Sequence, residues 1–234
     1  MNRVIELDRL RKQYGALRPL RIEALRLDAG HRLAVIGVDA PGAEALVTLL
    51  TGAALPDEGT IRICGRDTST ITDPDDWLKT LDQFGILSVR AVLVDELTAA
   101  QNIAMAFTLS VDPIADVVMN DVRRLAVEAG VPLDRLDGPL GTMTPEGRAR
   151  CHLARAVAND PAVLLLEHAN ALTTPADAAA FGRDIARVAD GRGVAVLALT
   201  ADELFGRAVA TKVYAIDAAT GRLRPRSGWF GWLR

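Results

Sequence analysis

Hydrophobic and polar positions change rhythm along this chain, and each change marks an element. Residues 4–10 and 20–27 alternate apolar and polar positions, as half-buried strands do, around a loop Gln13-Tyr14-Gly15. A turn at Asp28-Ala29-Gly30 leads into the apolar run 33–36, a buried strand, which turns at Gly37 and Gly42 and continues as an apolar helix to about residue 52. Residues 59–65 form a short strand bounded by glycines. Residues 73–84 predict a helix with Asp75 and Asp76 in its first turn, where the helix dipole favours acids. The stretch 86–94 is apolar and β-branched. After it come a helix carrying Ile103, Met105 and Phe107, and a second over 114–129 with Ile114, Val117, Val118, Val122, Leu125 and Ala126 at helical spacing. Thr144 caps a further helix running to about 159. Strands at 163–166, 194–199 and 212–216 then alternate with a helix at 176–189 and a shorter one. Strand–helix alternation predicts an α/β fold whose mainly parallel sheet is covered on both faces.

Composition narrows the partners. A chain of 234 residues with formal charge −3 offers no basic face for a phosphate backbone, so no nucleic-acid partner is expected. No apolar run reaches the length of a membrane span, and Met1 leads into charged residues, which predicts a cytoplasmic protein. The only two cysteines, Cys64 and Cys151, read as buried free thiols of a reducing compartment. The aromatic tail, 226–234, holds two of the three tryptophans and calls for a docking place. It packs on its own domain or meets a partner or membrane surface.

The stretch 33–52 has the frame of a phosphate-binding P-loop, Gly-x-x-x-x-Gly-Lys-Ser/Thr, with both glycines correctly spaced at Gly37 and Gly42. Its chemistry differs. Ala43 stands where the lysine belongs, Glu44 where the hydroxyl belongs, and Pro41 contributes no amide. Glu44 adds an anion beside the pocket, and its carboxylate is expected to take the positive end of the helix in place of a phosphate. Alternatively, Gly37 and Gly42 persist only as turn residues.

The run Gly147-Arg148-Ala149-Arg150-Cys151-His152-Leu153-Ala154-Arg155-Ala156, followed by Pro161 and the strand ending at Glu167, resembles the ATP-binding subunit of an ABC transporter. The resemblance covers about residues 4–223. It implies an ABC ATPase fold, a mainly parallel core with antiparallel N-terminal strands, in one domain. The core is expected at about 1–97 and 141–225, with a helical insertion at about 98–140. By position, Tyr14 matches the aromatic residue that stacks on adenine, or is an ordinary loop tyrosine. Val89, with Arg90 beside it, matches the Q-loop glutamine. Thr144, Pro145, Glu146 and Gly147 match signature positions, with Thr144 keeping a helix-cap hydroxyl. Glu167 and His168 match the Walker B pair, His168 being a histidine base or only a strand-end residue satisfied by local hydrogen bonds. Thr173 replaces the D-loop aspartate, and Ala201 replaces the switch histidine, with Asp202 beside it.

Mg-ATP is the cofactor the resemblance implies, and these replacements imply that its binding is weak or lost. No residue set is assigned to a metal or to confident catalysis. The resemblance also implies a transmembrane subunit as partner and a homodimer or heterodimer with another ABC ATPase subunit, peripheral at the inner membrane face. The leading expectation is therefore a degenerate, non-hydrolysing structural or regulatory subunit of a transporter. The alternatives are an active ATP-hydrolysing subunit with unusual site residues, and a soluble interaction protein no longer linked to transport.

Overall fold

A computed structural model describes residues 2–226, so the aromatic tail lies outside the described residues apart from Arg226. The chain opens with β1 (Arg3–Lys12) and β2 (Leu20–Asp28), then β3 (Arg32–Ile36), α1 (Ala40–Leu50), β4 (Glu58–Ile63) and β5 (Arg66–Asp67). Next come α2 (Pro74–Leu81), β6 (Phe84–Ser88), α3 (Ala99–Ala104), α4 (Asp116–Ala129) and α5 (Pro145–Ala156). The remainder alternates as β7 (Val163–Glu167), α6 (Ala178–Arg192), β8 (Ala195–Thr200), α7 (Glu203–Val209), β9 (Lys212–Ile216) and β10 (Leu223–Pro225).

Among the described residues these strands make two sheets, ordered β2-β1-β4-β5 and β10-β9-β3-β8-β7-β6. The first is antiparallel throughout. In the second, β9, β3, β8, β7 and β6 run parallel and only β10 runs against them. The α/β class is as the strand–helix alternation predicts, and the antiparallel N-terminal strands are as the family resemblance implies.

Side-chain alternation on the central strands explains the layering. On β7, Val163 and Leu165 enter the core shared with β1, β2, β4 and α1, while Leu164 and Leu166 enter the core shared with α3–α6. On β8, Ala195, Leu197 and Leu199 face the first core and Val196 and Ala198 the second. A strand buried on both faces must be apolar at every position, which is why these stretches read as continuous runs rather than alternations. The parallel register brings Ile36, Thr200, Glu167 and Ser88 to one edge, since Ile36 pairs with Thr200, Glu167 with Leu199 and Ser88 with Glu167. In such sheets that carboxyl-end edge is where ligands bind.

Several local expectations need correction. The helix expected over 73–84 starts on its Asp73 cap but ends at Leu81, because Phe84 and Ile86 belong to β6 and are held by β7. The stretch 89–94 beyond β6 is not regular structure. Helix α3 stops at Ala104, with Met105 as its cap and Phe107 past its end. Helix α4 starts at Asp116 rather than at 114, and Val117 is 72% exposed, on the opposite face from buried Val122, Leu125 and Ala126. Cys151 is buried, but Cys64 is exposed at a left-handed turn position after β4.

Two predictions come from the packing of α5. A Cβ on Gly85 of β6 would lie 2.0 Å from the Ala156 carbonyl oxygen, a backbone atom with no rotamer escape. Gly85→Ala should therefore destabilise at the upper end of the about 1–3 kcal/mol typical of overpacking, read as a lowered urea midpoint. An unchanged midpoint would show that α5 does not press on β6. His152 on α5 is pushed down to about 4 by burial first, then by the Arg155 and Arg148 charges. Its folded value lies below the unfolded one of 6.5, so the neutral form is favoured by folding. Its stabilising contribution is whole above that value and lost as pH falls through about 4. The gap in urea midpoint between the wild type and His152→Gln should change across that window, and a constant gap would refute the assignment.

Candidate functional site

The loop from β3 to α1 is built by its residues in a simple order. Gly37 takes φ +87°, a left-handed value that suits glycine, and its amide donates to the Thr200 carbonyl at 3.2 Å. Asp39 is extended and caps α1, its Oδ1 accepting from the Gly42 amide at 2.9 Å, with Pro41 in the first helical turn. A Cβ on Gly42 would lie 2.6 Å from that Oδ1, so position 42 has room for glycine and for little else while the cap stands. The anion at the positive end of α1 is therefore Asp39. Glu44 does not occupy it, contrary to the sequence expectation, because its side chain points outward and is 55% exposed. Ala43 is fully buried.

Tyr14 lies over this loop, with its Oη 3.5 Å from the place a Gly42 side chain would start. Its ring packs partly against the core between the sheets. Burial first, then the Asp39 carboxylate, raise its phenol above the ordinary value. A cavity of about 150 Å³ opens beside it, bounded by Tyr14, Gly37, Val38, Asp39, Gly42 and Ile216.

At the strand ends, Glu167 is buried, with 7% of its side chain exposed. Its Oε2 accepts from Arg90 Nε at 3.2 Å and Nη2 at 2.7 Å, while Arg90 Nη1 donates to Glu44 Oε1 at 2.8 Å. The hydrogen-bonded Glu167 carboxylate, with the Glu44 charge behind it, raises the Arg90 guanidinium above its usual range. Val89 points away and is 54% exposed. Arg90, one residue beyond the position the resemblance implies, is the side chain that enters.

His168 takes a left-handed φ of +46° at the end of β7, and its amide donates to Leu199 O at 2.9 Å. Its side chain is not satisfied as a strand-end residue would be. Among the described residues its buried Nε2 has no hydrogen-bond partner. Ala201 is exposed, Asp202 caps α7 through the Phe205 amide, and Thr173 bonds Asn170 O.

The signature positions form a separate place. Thr144 caps α5, its Oγ1 accepting from the Gly147 amide at 3.2 Å, and Pro145 follows as the first helical residue. Glu146 contacts Asp177, and both line a cavity of about 420 Å³ together with Arg150 and Asp184. The Thr174 hydroxyl first, then the Glu146 contact, hold the Asp177 carboxyl below its usual range. The structure thus brings Tyr14, Gly37, Gly42, Glu44 and Glu167 into one region and leaves 144–147 in another.

A glycine loop between strand and helix, set at the carboxyl edge of a mainly parallel sheet beside an antiparallel one, defines a P-loop-type cassette. The profile of the ABC transporter family matches residues 20–171, more than half of the chain, and the chain belongs to that family. Similar solved structures include cbiO1 from Clostridium perfringens, part of the ABC transporter complex cbiONQ. Its TM-score is 0.79 at 16% identity, over 96% of this chain and 88% of that one. A bacterial ABC transporter cassette solved as a dimer matches at TM-score 0.75 and 17% identity, over 96% and 100% of the two chains. At such identities the likeness is one of fold. Among curated relatives, the methionine import ATP-binding protein MetN of Brucella abortus (strain 2308) is 25% identical over 214 residues, 92% of this chain. The macrolide export ATP-binding/permease protein MacB of Salmonella choleraesuis (strain SC-B67) is 30% identical over 173 residues, 71% of this chain. The chain spans 57% of the first relative and 26% of the second.

If Asp39 holds the end of α1, Asp39→Ala should cost about 0.5–2 kcal/mol, the usual range for losing a helix cap. Glu44→Ala, at an exposed ion pair, should cost under about 1 kcal/mol. Chemical denaturation of both variants decides it, and a larger loss for Glu44→Ala would reverse the assignment.

Proposed function

We propose that this chain is a degenerate ATP-binding-cassette subunit that does not hydrolyse ATP by itself and serves a membrane transport complex as a structural or regulatory partner. The observation that carries this reading is the Asp39 carboxylate on the Gly42 amide. A phosphate bound by a P-loop needs the loop amides and the positive helix end, and a negative side chain already takes one of those amides and sits at that helix end. The other P-loop departures add to it. Pro41 has no amide to give, Ala43 supplies no cation, and Glu44 and Glu167 share the single cation Arg90, which leaves the cluster with net negative charge. Phosphoryl transfer rests on positioning and charge neutralisation, and these residues do not fit a magnesium triphosphate.

On this reading the protein meets a transmembrane subunit and works as a homodimer or a heterodimer with another ABC ATPase subunit, at the cytoplasmic face of the membrane. Support comes from family membership and from relatives named for import and export. Among the described residues no helix is long and apolar enough to cross a membrane, so attachment runs through a partner on this reading. Signature positions that present Pro145 and Glu146, with Asp177 beside them, would aim negative charge at a nucleotide on the facing subunit. A scaffold role fits this charge better than half of a motor.

Calorimetric titration with Mg-ATP, alongside phosphate release, tests the proposal. No heat at millimolar ATP and no release above buffer are the expected results. Sub-millimolar binding that Tyr14→Ala abolishes would replace the scaffold with a nucleotide sensor, and magnesium-dependent release by the purified chain would overturn the non-hydrolysing assignment.

A further inference from the structure

The region around Glu167 holds its own cation. Ser88 and Glu167 are register partners at the ends of β6 and β7. Immediately past β6 the chain reverses, with the Arg90 amide donating to Ser88 Oγ at 3.1 Å and the Ala91 amide to Ser88 O at 3.0 Å. That turn swings Arg90 back over the strand ends. Three guanidinium nitrogens then serve two acids from two different elements, Nε and Nη2 to Glu167 and Nη1 to Glu44. Glu167 requires this. A carboxylate so thoroughly removed from water is costly without a hydrogen-bonded counter-charge.

A divalent ion would answer the same requirement by different geometry, since a hard cation collects about six oxygen ligands. Among the described residues no group of three or more acidic, histidine or cysteine side chains stands ready to hold one. Two carboxylates, one buried and one exposed, are instead bridged by a single guanidinium that offers each of them separate nitrogens.

We propose that Arg90 is a built-in cation standing in the place of a divalent metal ion between Glu44 and Glu167, and that removing it uncovers a divalent-cation site on those two carboxylates. The inference deepens the functional reading above and rests on it for where a metal would sit. It has a mechanical consequence. The segment 89–94 is tied to α1 and β7 through Arg90, and its far side is tied to α5 by Arg155 Nη1, which donates to Val92 O at 3.0 Å. The segment is therefore held from both sides, displaying Val89 and Val92, which are 54% and 73% exposed.

Manganese titration of the full chain without nucleotide, followed by the electron paramagnetic resonance of free Mn²⁺, tests this separately from any ATP measurement. The wild type should show no saturable binding at millimolar Mn²⁺. Arg90→Gln should bind at least tenfold more tightly, and Arg90→Gln with Glu44→Gln should lose that gain. Equal binding by the wild type and Arg90→Gln would overturn the proposal, as would a folded Arg90→Gln that binds no Mn²⁺. Should Arg90→Gln fail to fold in buffer alone, recovery of a cooperative melt on adding Mn²⁺ supports the proposal. Recovery only through a second change, Glu167→Gln, overturns its metal half.

Discussion

The arrangement at the sheet edge depends on a single constraint, that a carboxylate at the end of a doubly buried strand must be neutralised. Strand β7 is apolar at every position before Glu167, because helices cover one face and α1 with the antiparallel sheet covers the other. The strand cannot end in a lone charge without a large desolvation penalty. Arg90 meets the need from the neighbouring strand end, and in doing so it fixes the turn after β6 and reaches Glu44 on α1. Three elements are thereby joined by one side chain. The contacts to Glu167 carry most of that coupling, because the Glu44 end of the bridge is exposed and screened.

Much of the fold is legible in the chain because strand and helix periods survive in it. Runs such as 163–166 and 194–199 cannot be half-exposed strands, so a covered parallel sheet follows from them. What sequence reading misses is set by tertiary contact. Phe84 continues a helical pattern and is nonetheless taken by β6, because pairing with Val163 outweighs one more helical turn. Val117 has helical spacing from buried residues yet sits in solvent, since α4 presents only one stripe to its neighbours. Cys64 is drawn outward by the left-handed turn after β4. These are outcomes of packing, and no local pattern encodes them.

The candidate site shows the same division at closer range. Its expected positions come from two sources, Gly37 and Gly42 from the loop spacing and Glu167 from the family resemblance. Its pairings are not. Glu44 is one residue past the buried Ala43 and looks placed to compete for the helix end, but its side chain leaves α1 on the outer surface. Asp39 precedes the helix, and an aspartate directly before Ala-Pro-Gly is a readable cap signal that could have identified it. Arg90 is adjacent to the position the resemblance implies, and only the Ser88 turn decides which of Val89 and Arg90 faces inward.

Asp39 and Arg90 together suggest why a cassette can keep its fold while its site residues change. In a nucleotide-bound P-loop protein the helix end and the strand-end acid are satisfied in part by ligands, phosphate on one and metal on the other. On the reading proposed here, this chain supplies both from within, an internal anion at the start of α1 and an internal cation at the end of β7. Neither substitution disturbs the cores on either side of the sheet, because both residues lie at its carboxyl edge, outside the packed layers. A helix N-terminus and a buried acid are obligations of the fold, whereas a triphosphate is an obligation of the activity. Once side chains discharge the first pair, nothing in the folding of this domain requires the ligand to be present.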